Sequence, residues 1–96
     1  MTDPYTDPSR QVPVPSFSGF MKGLASEVLI HLGHVENPIT RKKTVNLGMA
    51  QYTISLIELL EEKTRGNLTP EEESLLKYLH DELRERWLDA VKGTDD

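Results

Sequence analysis

Apolar residues recur every three or four positions along three stretches of the chain, and that spacing predicts three helices. The first is marked by Phe17, Phe20, Met21, Leu24, Val28 and Leu32 and is expected over 16–33, opened by Ser16 and stopped by Gly33. The second is expected over 46–65, with Asn46 as its cap. Met49, Ala50, Thr53, Ile54, Leu56, Ile57, Leu59 and Leu60 are its apolar positions, and Glu58, Glu61 and Glu62 its polar side. The third is expected over 70–92 on Leu75, Leu76, Leu79, Leu83, Trp87 and Val91. Its opposite face is charged and offers Glu73/Lys77, Lys77/Asp81 and Glu82/Arg86 as i,i+4 pairs.

The second and third helices meet at one short corner, Arg65-Gly66-Asn67-Leu68-Thr69-Pro70-Glu71-Glu72. Glycine closes a helix in the left-handed conformation without a Cβ penalty, and Lys63 and Arg65 sit where the dipole favours cations. Thr69, Pro70 and Glu72 have the capping-box spacing, with proline at the first helical position. A corner this short requires the helices to run antiparallel. The expected fold is all-α, a small three-helix domain built on an antiparallel helical hairpin. The apolar surface of the second helix is wider than one stripe: Ile54 lies on one side, with Ala50, Ile57 and Leu60 on another. A three-helix monomer buries one stripe per helix, so this width predicts a homodimer whose hairpins form a helical bundle.

Residues 1–15 hold four of the six prolines, at positions 4, 8, 13 and 15, and read as a disordered leader. Within it Val12-Pro13-Val14-Pro15 has the makings of a polyproline docking segment, but only Tyr5 offers an aromatic anchor. Residues 94–96 read as a frayed tail. Between the first two helices lies a long connection, 33–45, with Asn37-Pro38 as a turn signal and Arg41-Lys42-Lys43 as a dense basic cluster. Ile39 and Val45 flank the cluster and are expected to tuck inward. The cluster is a candidate contact for an anionic partner, set against the plainer reading of a solvated loop tip.

Composition narrows the function classes. The chain has 96 residues, room for one domain, and a formal net charge of −5. That balance argues against nucleic-acid binding, which needs a basic surface. There is no cysteine, hence no disulfide framework or thiolate metal site. No apolar run approaches a membrane span or a signal segment, so a cytoplasmic location is expected. Attachment to an anionic membrane through the first helix and Arg41-Lys42-Lys43 is opposed by Glu27 and the net charge; membrane contact is not expected.

Candidate chemistry is sparse. Glu27, His31 and His34 would share a face if the first helix ran through Gly33, which makes them weak metal candidates. Their further ligands would have to come from Glu36 or His80, and neither Glu-x-x-His nor His-Glu-x-x-His occurs. The carboxylates Glu61, Glu62, Asp81, Glu82 and Glu85 lie on expected solvent faces. No serine lies in a nucleophile elbow, and the glycines form no phosphate loop. An enzyme is therefore not expected, nor is a cofactor. Trp87, Phe17 and Phe20 remain as aromatic anchors for a partner, with core packing the plainer reading. Gly19 and Gly23 share a face that would admit another helix of the domain closely.

The segments His31-Leu32-Gly33, Asn37-Pro38, Val45-Asn46-Leu47 and above all the run from Glu61 to Glu73 resemble a bacterial family catalogued as domain of unknown function 1844. The likeness extends over about 16–88. The resemblance implies a small cytosolic helical protein without an assigned activity, and it supplies no catalytic or binding residue. It departs at Arg41-Lys42-Lys43, where such sequences more often carry glycine and acidic residues, so it implies no shared role for that loop. The reading that results is a self-associating, non-enzymatic interaction module with room for an unidentified protein partner. Its rival is a bundle that takes a metal or small ligand near His31 and His34.

Overall fold

Three short polar side chains start three helices in the computed structural model, which describes residues 13–93. Ser16 precedes α1 (Phe17–His31) and its Oγ accepts the Gly19 N–H at 2.9 Å. Asn46 precedes α2 (Leu47–Lys63) and its Oδ1 accepts the Met49 N–H at 3.0 Å. Thr69 precedes α3 (Pro70–Gly93) in a closed capping box. The Glu72 N–H donates to Thr69 Oγ1 at 3.1 Å, and the Thr69 N–H donates to Glu72 Oε1 at 2.9 Å. Each cap satisfies a backbone donor that the helix itself leaves unpaired.

The stops are as local as the starts. Gly33 has φ 78° and Gly66 φ 83°. At the end of α1 the Gly33 N–H reaches the Ile30 carbonyl and the His34 N–H reaches the Leu29 carbonyl, the paired closure that a left-handed glycine permits. α1 thus ends two residues before the expected Gly33, and α2 two residues before Arg65.

Every helix packs on the other two. The core consists of Met21, Leu24, Ala25, Val28 and Leu32 from α1 and its cap, Ala50, Ile54 and Ile57 from α2, and Leu76 and Leu83 from α3. The first helix with its cap therefore supplies half of the buried apolar side chains, although the hairpin carries the clearer boundary signals. α3 presents the fewest because it is the longest and most charged of the three, and its inner edge is completed by half-buried Leu79, Trp87 and Ala90. Thr53 is also buried. Its hydroxyl donates back to the Met49 carbonyl at 3.0 Å, so this polar group enters the core without an orphaned donor.

Two cross-helix contacts fix the antiparallel register of α2 and α3. His80 Nε2 lies 2.8 Å from Glu58 Oε2, and the Trp87 indole N–H donates to the Leu47 carbonyl at 3.0 Å. On α3, Glu82 and Arg86 close as an ion pair at 3.1 Å, whereas Lys77 does not bridge to Glu73 or Asp81.

The glycines of α1 depart from expectation. Both Gly19 and Gly23 are exposed, a Cβ on Gly23 would meet nothing within 4 Å, and one on Gly19 would meet only its own cap. The inward face of α1 is taken by Met21, Leu24, Ala25 and Val28, so the glycine face admits no neighbour. Gly23→Ala should accordingly stabilise the fold by about 0.5–1 kcal/mol, since glycine inside a helix is costly and nothing here requires it. Urea denaturation checks this; a loss of stability would show that the face is covered after all.

Candidate interaction surfaces

On α2 the core takes Ala50, Thr53, Ile54 and Ile57, which leaves a second set of apolar residues outside. Met49, Tyr52, Leu56 and Leu59 follow at intervals of three or four and form one row on the outward side. Met49 is 41 %, Tyr52 56 % and Leu59 48 % exposed, and Leu56 is half-buried. No charged side chain interrupts the row before Lys63. On α1, Phe20 is exposed and Phe17 packs partly against the core. These two sequence-picked aromatics thus part ways: one is structural and one remains on the surface.

Trp87 is also structural. Its ring packs against the core and its N–H is fixed on Leu47, where it ties the C-terminal half of α3 to the first turn of α2. Its outer edge lines a shallow groove between α2 and α3 with Ile54, Leu88, Glu58 and Arg84. A smaller cleft of about 170 Å³ lies under the corner, between Glu61, Arg65, Leu68, Glu73 and Lys77. Ligand pockets ordinarily start near ~300 Å³.

The weak metal candidates do not come together. α1 stops at His31, so His34 lies beyond the turn and no longer continues the face of Glu27 and His31. His34 Nδ1 instead lies 3.3 Å from an Arg86 nitrogen, and His80 is held by Glu58. Among the described residues no three His, Asp or Glu side chains form a group able to hold a metal ion. The Glu58–His80 pair escaped the sequence reading, yet folding the chain about Thr69 brings those two positions level.

The connection between α1 and α2 is a folded loop. Its base is closed by the Asn46 N–H donating to the His31 carbonyl at 2.7 Å, and Val45 lies over Gly33. Its outer half is closed again: the Asn37 N–H donates to the Lys42 carbonyl at 3.0 Å, and the Arg41 N–H to the Asn37 carbonyl at 2.7 Å. Arg41 adopts φ 60° to complete this turn. Arg41, Lys42 and Lys43 are all exposed. Ile39 and Val45, expected to tuck inward, are 89 % and 61 % exposed. The tight outer turn leaves Ile39 at an apex that no helix reaches.

These features define a small all-α domain of three mutually packed helices with apolar and basic surfaces. The family model for Domain of unknown function (DUF1844) matches residues 14–89, and the chain belongs to that family. No curated protein and no solved structure matches the chain. Among the described residues no helix is long and apolar enough to cross a membrane. Residues 1–12 of the expected leader at 1–15 and the tail at 94–96 lie outside the described residues; Pro13 to Ser16 are exposed and non-helical.

Proposed function

We propose that the domain is a non-enzymatic interaction module that pairs with a second copy of itself through the outward row of α2. The observation that carries this reading is the line of Met49, Tyr52, Leu56 and Leu59, large apolar side chains left partly in water on a helix whose opposite side already fills the core. The row is about 15 Å long at 1.5 Å per residue. Its exposed surface is on the order of 300–400 Å², the size of the largest apolar patch on a typical monomer, which is often functional. A second copy is the occupant this geometry favours. An unbroken apolar row set across a two-fold axis meets its own like, so it needs no complementary charge from a partner of different sequence. Polar flanks would complete the ~800 Å² per partner that a stable dimer buries. The same reading keeps the module in the cytosol, as the family resemblance implies.

Analytical ultracentrifugation at tens of micromolar tests the proposal. The wild type should sediment as a dimer. Tyr52→Glu with Leu59→Glu should sediment as a monomer with unchanged helical circular dichroism, because each glutamate would have to be buried unpaired. A monodisperse wild-type monomer overturns the proposal.

A further inference from the structure

We propose that the loop between α1 and α2 docks onto an anionic lipid surface, with Ile39 entering the bilayer interface and Arg41, Lys42 and Lys43 meeting the head groups. This surface is separate from the α2 row and does not depend on dimerisation. Two independent features carry it.

The first is the composition of the apex. Ile39 is 89 % exposed, and the three cations that follow within four positions are exposed too. None of the three is held by a carboxylate; the ion pairs of the described residues lie elsewhere, at His80 and Arg86. The loop itself contains one acidic residue, Glu36. Part of the net charge of −5 is remote from this apex. The acidic corner at Glu61, Glu62 and Glu71 to Glu73 lies at the far end of α2, about 25 Å away, whereas the screening length at physiological salt is about 8 Å.

The second feature is the backbone of the apex. From Asn37 to Lys42 every N–H has an acceptor inside the loop. Asn37 donates to Lys42 O and Pro38 has no N–H. Ile39 and Thr40 donate to Asn37 Oδ1 at 2.8 and 3.4 Å, Arg41 to Asn37 O at 2.7 Å, and Lys42 to Thr40 Oγ1 at 3.4 Å. Such Asx and Thr turns also close loops that meet only water. Closure matters when the apex leaves water, since an unpaired N–H is expensive in an apolar medium. An isoleucine at the tip of a narrow turn offers little area to a shape-matched protein interface, but a bilayer accepts it without a pocket.

The test is co-sedimentation of the full chain with vesicles of phosphatidylcholine, with and without phosphatidylglycerol, at low salt. The wild type should bind the anionic vesicles only and be released near ~0.5 M NaCl. Each cation near an anionic leaflet raises partitioning about fivefold, so Lys42→Glu with Lys43→Glu should lower it by ~25-fold or more. Ile39→Ser, at a position with no packing to lose, should lower it at least about fivefold. Failure of the wild type to bind anionic vesicles overturns the proposal. So does undiminished binding of Ile39→Ser. Binding to polyglutamate but not to vesicles, lost on charge reversal, also overturns it and assigns the loop to an acidic polypeptide.

Discussion

Ile57→Ala should leave the domain unfolded or close to it. Ile57 is fully buried at the inner edge of α2, within a core shared by all three helices. Truncating such a side chain removes its transfer free energy and opens a cavity, together about 2–5 kcal/mol. A core of this size supports only about 3–5 kcal/mol of net stability, and no disulfide adds to it. The single substitution therefore removes most of the margin. Ser55→Ala, two residues earlier and exposed, should change stability by less than about 0.5 kcal/mol. Urea denaturation of both variants at one protein concentration, so that the proposed self-association would contribute equally, makes the comparison. If the two differ by less than about 1 kcal/mol, Ile57 is not where the packing places it.

The boundaries of the helices were legible because they are set by local chemistry. Ser16, Asn46 and Thr69 cap, Gly33 and Gly66 close, and each acts within four residues of its own position. The fold class followed from periodicity for the same reason. What was not legible needs knowledge of which faces meet. Gly19 and Gly23 look alike as a close-packing motif and as a bare solvent edge, and only the position of Met21 and Leu24 decides between them. Ile39 looks like a residue that tucks inward until the turn made by Asn37 and Arg41 lifts it out, and Val45 covers Gly33 at the base of the loop while staying 61 % exposed. Excess apolar surface on the second helix was visible in the sequence. Its division into a buried side at Ala50, Ile54 and Ile57 and an outward row at Met49, Tyr52 and Leu59 required the placement of α1 and α3. The histidines mark the limit on the other side: three helical positions separate His31 from His34 in sequence, but the glycine between them turns the chain away.

That same glycine carries the second large effect. Gly33→Ala should destabilise the domain by about 2–3 kcal/mol, two costs adding at one position. The φ of 78° is left-handed, which charges an alanine about 1–2 kcal/mol. The new Cβ would also stand 2.8 Å from Val45 Cγ2, closer than packed atoms sit, while the Thr44 carbonyl oxygen at 3.4 Å would be in ordinary contact. Gly66 separates the two contributions. Its φ of 83° is equally left-handed, but a Cβ there meets nothing within 4 Å, so Gly66→Ala should show the conformational cost alone. The difference between the two variants in urea denaturation measures the contact between Gly33 and Val45, and Val45→Ala in the Gly33→Ala background should recover part of it. If Gly33→Ala costs no more than Gly66→Ala, Val45 yields freely and the base of the loop is not fixed. The result bears on function because Val45 and Asn46 hold the outgoing strand of the loop against the end of α1. Loosening that base adds ordering entropy to any docking of Ile39 and the three cations, so Gly33→Ala should also weaken vesicle binding without removing a single group that meets the lipid.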